Sequence, residues 1–325
     1  MNVTSVKFVQ QSSASYWKDD VQCPRCGCSL KFTRKNPTCS NSDCVYSETG
    51  FPKVGKQPVL IDFEDSVFER SAYEGSDGAV FARDISRRSI GSRIHRFING
   101  ENPIAKQNCE RFLNLLRGEV GRPRILVIGG GTIGSGADKL YSDPAIELIN
   151  TDVYASEFTE LLVDGHKLPF KDGSFDGVWV QAVLEHVLEP AVIVAEIHRV
   201  LGTSGIVYAE TPFMQQVHER AYDFTRFTQS GHRWLFRRFE EISAGPVTGA
   251  GVVMLWSIRY FARALGAGDK LSRLVSLPFF WLRYFDLMSR GRKAADAAGG
   301  LFFLGRRSDK EISARSMLQY YANQK

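Results

Sequence analysis

Nowhere in this 325-residue chain do eighteen apolar residues run together, which excludes a bilayer-spanning helix of ordinary length. The first seventeen residues, Met1 to Trp17, are polar and serine-rich and lack the apolar stretch of a secretory signal. A cytoplasmic location is the expectation. No internal repeat or low-complexity tract occurs, so nothing points to a repeat architecture. Charge of one sign is in little excess, +5 overall, yet residues 251–300 hold eight Lys/Arg against three Asp/Glu. The rest of the chain therefore sums to zero, and any attraction to an anionic partner should come from that segment. Cysteine is scarce too, with six in all, five of them between positions 23 and 44. What is present, 43% hydrophobic and 24% charged residues, is ordinary for a globular chain with a sizeable core. The length suits two domains, or one large domain with an appendage.

The clustered cysteines read Cys23-Pro-Arg-Cys26-Gly-Cys28, followed by Cys39 and Cys44. Two pairs flanked by Gly and Pro have zinc-ribbon spacing. Four thiolates satisfy tetrahedral zinc, and so small a lobe lacks the core to fold without metal. The expected ligands are Cys23, Cys26, Cys39 and Cys44, with Cys28 a spare that could displace Cys26. A disulfide pair is disfavoured without a secretion signal, and a redox C-x-x-C without a βαβ context. Because such a ribbon folds on its metal, loss of Cys39 or Cys44 should loosen it and leave the rest nearly intact. Cys109 stands alone and is read as core.

Residues 1–20 read as a flexible leader, 21–50 as the zinc-ribbon lobe and 51–120 as a linker with N-terminal helices. Phe51 to Asp62 is Pro-rich and extended. Gly75 to Gly78 is a turn, and Arg83, Arg87, Arg88, Arg93 and Arg96 read as a solvated helical face. A helix from about Pro103 to Leu116, with Ile104, Phe112, Leu115 and Leu116 on one side, should lead into the first buried strand and could cover a ligand.

That strand, Arg124 to Ile128, runs into five glycines within eight residues, Gly129 to Gly136. A buried strand ending in such a turn lets backbone approach a ligand closely. A second strand, Ile146 to Asn150, leads to Asp152, an acid placed to take both hydroxyls of a ribose. A third ends at Asp164-Gly165-His166. Strands expected at 124–128, 146–150, 160–163, 175–180 and 205–210, with a helix over Glu189–Leu201, alternate as in a doubly wound parallel α/β sheet. Glu240 to Ala244 and Leu301 to Arg306 would be the last two strands.

The run Asp164-Gly-His-Lys-Leu-Pro-Phe170, Asp172-Gly-Ser-Phe-Asp-Gly-Val-Trp179, Leu184-Glu-His-Val187 and Glu196-Ile-His-Arg-Val-Leu201 resembles the class I S-adenosylmethionine-dependent methyltransferases, of the type 11 kind. The resemblance covers about residues 120–250 and implies a Rossmann-like, seven-stranded sheet. It implies that Gly129 and Gly131 lie against the methionine part of S-adenosylmethionine, Asp152 on the ribose, Asp164 beside the adenine amine and Gln181 near the sulfonium. Gly130, Gly134, Val153, Gly165 and His166 are likewise implied as cofactor-binding. One departure stands out. The acidic residue that family members usually carry two positions before the first glycine is here Val127, which removes an anchor for the cofactor's amino group. A dehydrogenase would need a nicotinamide site and a hydride partner, and nothing marks one.

After the fifth strand come Glu210-Thr-Pro-Phe213 and His218-Glu219-Arg-Ala-Tyr-Asp223, a segment resembling methyltransferases of polysaccharide, glycolipid and secondary-metabolite synthesis. A sugar hydroxyl must shed its proton as it attacks, which calls for a positioned base. His218 is the expected base, with Glu219 or Asp223 orienting it, and His186 is a weaker candidate. Base-amine enzymes of the class usually end strand 4 in Asn/Asp-Pro-Pro-Tyr/Phe, and cytosine-carbon enzymes need a catalytic Cys. Here the strand ends Gln181-Ala-Val-Leu184, and no Cys follows Cys109. A zinc ribbon before a methyltransferase also resembles the ribosomal-RNA guanine methyltransferases, so an RNA acceptor is the second reading. A non-catalytic adaptor keeping the cofactor fold is the third. Residues 251–300 read as a helical basic insert, and 301–325 as the final strand and tail. Aromatic residues with arginines suit a membrane surface, while packing as a lid over the acceptor pocket or as a dimer seam are the competing readings.

Overall fold

The computed structural model describes residues 17–33, 35–74, 103–288 and 291–323. Most of the expected leader, the turn at Gly75–Gly78 and the arginines from Arg83 to Arg96 lie outside the described residues. The chain opens with an antiparallel hairpin, β1 (Leu30–Phe32) and β2 (Pro37–Cys39), then α1 (Val45–Glu48). A second hairpin, β3 (Lys53–Val54) and β4 (Gln57–Leu60), precedes α2 (Ser71–Glu74) and α3 (Pro103–Glu119). Next come β5 (Arg124–Ile128), α4 (Asp138–Ser142), β6 (Glu147–Asp152), β7 (Leu161–Val163), β8 (Phe175–Gln181), α5 (Pro190–Val200) and β9 (Leu201–Pro212). After α6 (Gln229–Leu235) and β10 (Phe239–Thr248) lie α7 (Ala250–Ala264), α8 (Asp269–Ser276) and a 3-10 stretch, Leu277–Leu287. The helix α9 (Arg292–Asp296), β11 (Gly300–Arg307) and α10 (Ala314–Asn323) complete the described chain.

The main sheet runs β10-β11-β9-β8-β5-β6-β7-β4-β3. Strands from β9 to β4 pair in parallel, and β11 lies antiparallel between β9 and β10. The seven expected strands are all present and the fold is a doubly wound α/β sheet. It is wider than expected, however. Val59 and Leu60, in the stretch read as a linker, pair with Leu162 and Val163 and add β4 and β3 to the sheet edge. The two prolines there mask a strand because each sits beside or at the end of a short edge ladder, where a missing N–H costs little.

Alternation along β5 explains the two layers. Leu126 and Ile128 face a core shared with Ile193, Val194 and Ile197 of α5, whereas Ile125 and Val127 face Phe112, Leu113 and Leu116 of α3. Successive side chains leave opposite faces of a strand, so a run apolar at every position needs helices on both sides. α3 answers with buried Ala105, Cys109, Phe112, Leu113 and Leu116 on one stripe. Pro103 begins it at a position that needs no N–H donor.

The cysteine lobe does not hang free. Trp17, Val21, Cys23, Cys39, Cys44, Tyr46 and Phe51 belong to the same buried cluster as Phe170, Phe175 and Val178 of the main sheet. Gln22 N–H donates to the Pro169 carbonyl at 3.0 Å, and Arg124 joins Asp20 at 2.7 Å. The expectation of a ribbon that could loosen alone is therefore corrected: its apolar side is main-core surface.

The insert divides into two parts. α7 backs the loop after β9, where Gln216 Nε2 donates to Ser257 Oγ at 3.2 Å and Tyr260 OH to the Val217 carbonyl at 3.2 Å. Asp286 folds the 3-10 stretch back onto α7 by accepting the N–H of Gly251 at 2.6 Å and of Val252 at 3.2 Å. The outer part is not a lid packed into the core. Phe280 and Trp281 are each 47% exposed, and Phe279, Tyr284, Phe285 and Met288 are exposed with them.

Candidate active site

In an open parallel sheet, ligands sit beyond the carboxyl ends of the strands where the strand order reverses. Here that point lies between β5 and β8, because the chain fills β6 and β7 on one side before crossing to β8 and β9 on the other. The glycine turn stands at this place. Gly129 (φ +79°) adopts the left-handed region, and a Cβ on Gly131 would lie 2.4 Å from the Tyr154 ring and 2.7 Å from the Asp152 carboxylate. Only a side-chain-free backbone fits so close an approach.

Asp152 holds this turn as well as facing it. Its Oδ2 accepts the Gly131 N–H at 2.7 Å, and its Oδ1 accepts the Val153 N–H at 2.7 Å. Asn150 steadies the next carbonyl, donating from Nδ2 to Gly130 O at 2.8 Å. One strand further, Asp164 accepts from Ser66 Oγ at 2.6 Å and pairs with His166 Nδ1 at 2.7 Å. Burial alone would raise the Asp164 carboxyl; its bonds to His166 and Ser66 outweigh this and hold it below the usual range. Tyr73, fully buried, donates to the Val153 carbonyl at 2.9 Å. Ser66 and Tyr73, both from the N-terminal part, thus wall this side of the site. Gly165 has a different duty, since a Cβ there would lie 3.1 Å from Ile193 of α5.

Gln181, closing β8, donates from Nε2 to Glu210 Oε2 at 2.8 Å and to Ser135 O at 3.1 Å. Tyr208 OH donates to the other Glu210 oxygen, and Asn108 Nδ2 donates to Tyr208 OH at 3.2 Å. Glu210 is 9% exposed, and burial pushes its carboxyl up to about 7 against the pull of the Tyr208 and Gln181 bonds. Val127, Trp179 and Tyr208 are register partners across β5, β8 and β9, and Gln181 pairs with Glu210 two residues further along. Glu210 therefore stands on the sheet face where Val127 contributes no acid. The residue-by-residue reading gave it no role, because an i, i+2 relation across three strands is invisible in one chain segment.

Beyond β8 and β9 a second cluster forms. His186 Nδ1 lies 2.6 Å from the Tyr222 carbonyl, and the His186 and His218 rings meet edge to face at 5.0 Å. Asp223 Oδ2 accepts the His218 N–H at 2.8 Å and lies 3.4 Å from His218 Nδ1. Burial raises the Asp223 carboxyl, but its ion pair with Arg226 and the His218 N–H hold it well below the usual range. The carboxylate beside His218 is thus Asp223; Glu219 precedes the short 3-10 turn Arg220–Tyr222. Glu185, 1% exposed, lies 3.6 Å from His186 Nε2, and burial pushes its carboxyl up to about 8. Sequence reasoning passed over Glu185; its signal was an acid next to a histidine just after a central strand.

In the N-terminal lobe, Cys23, Cys26, Cys39 and Cys44 bring their sulfurs within 4.8 Å of one another. Cys23 lies 3.8 Å from Cys44, and Cys26 3.4 Å from Cys39. Cys28 stays outside, its sulfur directed at the Cys26 carbonyl. Cys109 is buried beneath α4, and burial pushes its thiol up to about 11.

Residues 141–209 match the family model described as methyltransferase domain. The matched stretch runs from the end of α4 through β6, β7 and β8 into β9. No curated protein matches the sequence. Among solved structures, similar folds include the [4+2]-cyclase SpnF (19% identity, 61% of this chain and 80% of that one, TM-score 0.37). Others are phosphoethanolamine N-methyltransferase 2 of Haemonchus contortus (18%, 62% and 53%, TM-score 0.39) and 1,6-didemethyltoxoflavin-N1-methyltransferase of Burkholderia thailandensis (15%, 63% and 79%, TM-score 0.37). The chain spans about half the length of the Haemonchus protein. No helix among the described residues is long and apolar enough to cross a membrane.

The raised Glu210 carboxyl has a consequence for stability. A folded value of about 7 against an ordinary 4.5 means that the folded state prefers the protonated form. That contribution is fully present below about pH 4.5 and is lost as pH rises through 7, on the order of 3 kcal/mol over the window. Urea unfolding of wild type and Glu210→Gln from pH 4.5 to 8 is expected to show the wild type falling relative to the variant. Parallel curves would show that Glu210 ionises as an ordinary glutamate.

Proposed function

We propose that this chain transfers a methyl group from S-adenosylmethionine to a hydroxyl of a saccharide, glycolipid or related hydroxylated metabolite. The observation that carries the reading is a glycine-turn and Asp152 cradle sharing one sheet edge with a histidine–carboxylate cluster. S-adenosylmethionine supplies an electrophilic methyl on a sulfonium. The residues present fit it. The turn from Gly129 to Gly131 offers close backbone, and the Asp152 carboxylate that accepts the Gly131 and Val153 N–H groups is an acceptor of the kind a ribose hydroxyl needs. Asp164 and His166 border the adenine side, Gln181 the reacting side. Glu210 provides the negative charge that Val127 does not, suited to the cofactor's ammonium or sulfonium.

His218 takes the acceptor's proton as the oxygen attacks. Asp223, fixed as an anion by Arg226, stands beside Nδ1 and steadies the imidazolium that results. A hydroxyl requires this service, whereas an acceptor already ionised at neutral pH would not. The four-thiol group suits structural zinc. Ligand sulfurs about 2.3 Å from one ion stand roughly 3.8 Å from each other, close to the observed 3.4 and 3.8 Å.

The insert supports a membrane surface as the place where the acceptor is met. Side chains such as Leu274, Phe280, Trp281 and Phe285 are exposed, and Arg259, Arg263, Lys270, Arg273 and Arg283 lie among them against Asp269 and Asp286. Arginines draw such a face to anionic headgroups, and aromatics then bury at the interface. RNA would attract the charge but offers no acyl layer for Phe280 and Trp281.

His218→Ala is expected to lower turnover about 10²–10⁴-fold with cofactor affinity retained, while Asp152→Ala weakens the cofactor by on the order of 1.5–3 kcal/mol. A near-normal rate in His218→Ala rejects the base and the hydroxyl acceptor together; calorimetry at wild-type affinity for Asp152→Ala rejects the ribose contact.

Purified protein is expected to carry one zinc at the four thiols. Because the lobe shares the main core and leads to Ser66 and Tyr73, Cys39→Ser should lower both the melting temperature and cofactor affinity. Metal analysis without zinc at the thiols would remove the assignment.

Anionic vesicles are expected to bind the protein at low salt, release it as salt rises, and bind Phe280→Ala/Trp281→Ala more weakly. Dimerisation through this face without vesicle binding would hand it to a second copy of the chain.

A further inference from the structure

Glu185 is the acid at this edge that the reaction scheme leaves without work. Its side chain is 1% exposed, and Oε2 has no hydrogen-bond partner among the described residues. A buried carboxylate left in this state is costly unless a cation or a proton meets it. Two histidines face it. His186 ties its Nδ1 to the Tyr222 carbonyl and brings Nε2 to 3.6 Å from Glu185 Oε1. His218 has its Nδ1 beside Gln216 O and Asp223 Oδ2, each at 3.4 Å. Metal-bound imidazoles characteristically carry a carbonyl or carboxylate on the other ring nitrogen in this way. One donor atom from each of Glu185, His186 and His218 falls within 4.8 Å of the others.

We propose that Glu185, His186 and His218 bind a divalent transition-metal cation, with open coordination positions toward the acceptor. Two imidazoles and one carboxylate form a donor set suited to such ions and leave room for outside oxygen ligands. Neighbouring ligands on one ion stand about 3 Å apart, so His218, on its exposed loop, closes the last part of the gap. The bound cation neutralises Glu185. It also lowers the proton affinity of a coordinated hydroxyl, a consequence that rests on the hydroxyl-acceptor reading above. The hydroxyl proton then leaves to solvent water, an oxygen–carbon bond forms to the methyl, and the sulfur departs with the electron pair as a neutral thioether. In this state His218 is a ligand, and its work as a base belongs to the cation-free cluster.

The test uses full-length protein with zinc already on the four thiols and Mn²⁺ as probe, followed by loss of the free-ion electron paramagnetic resonance signal. One saturable Mn²⁺ per chain is expected. Its affinity should fall at least about 100-fold in Glu185→Gln and in His218→Ala, since loss of a direct ligand exceeds the loss of an outer partner. His218 lies on the surface, so that variant reports even if Glu185→Gln folds poorly. Mn²⁺ should also raise the melting temperature of wild type and not of His218→Ala. No saturable binding, or equal binding by wild type and His218→Ala, overturns the site. Full methylation after removal of all but the thiol-bound metal overturns the cation's part in the reaction and leaves that work to His218 as base. Mn²⁺ binding with these variant effects, but without methylation of any hydroxyl acceptor, upholds the site and sinks the acceptor reading instead.

Discussion

The hydrogen bond from Gly131 N–H to Asp152 Oδ2 ties the end of β5 to the end of β6, and the rest of the site takes its position from it. The two strands are parallel neighbours in register from Arg124 and Glu147 upward, so their carboxyl ends finish at one level. Glycines then let the β5 end fold over that level until it touches Asn150, Asp152 and Tyr154. Any side chain there would wedge the turn open. The carboxylate that fixes the turn is also the one proposed for the cofactor's ribose, and in that reading turn shape and ligand affinity are linked.

The N-terminal part belongs to this arrangement. Four converging thiols hold a hairpin whose apolar side, with Trp17, Tyr46 and Phe51, is continuous with the main core. From it the chain adds β4 to the sheet edge and then delivers Ser66 to Asp164 and Tyr73 to Val153. A metal at the cysteines would thereby act on the far wall of the cofactor site through packed strands, with no contact to the ligand.

Two acids set the electrostatics of the opposite wall. Burial pushes Glu210 up to about 7 and Glu185 up to about 8, so both are poised to ionise when positive charge arrives. Asp223 differs, since Arg226 already holds it as an anion. The edge thus holds one permanent negative charge beside His218 and two conditional ones, Glu210 and Glu185.

The sequence alone was enough for everything that depends on local pattern. Apolar runs alternating with helical stretches marked β5 to β9, the glycine turn after β5 marked the candidate ligand edge, and the spacing of Cys23, Cys26, Cys39 and Cys44 marked the thiol group. Those features are legible because strand period, turn chemistry and ligand spacing are properties of neighbours in the chain. What only the tertiary structure decided involves residues far apart in sequence. It put β4 on the sheet edge, merged the cysteine lobe with the main core, and set Glu210 across from Val127. It also brought Glu185 and His186 to His218, and turned Phe280 and Trp281 outward. Each of these depends on which strand lies beside which and on how much water a side chain loses. Hydrophobicity in one segment cannot report that, because burial is set by the partner surface and not by the residue that is buried.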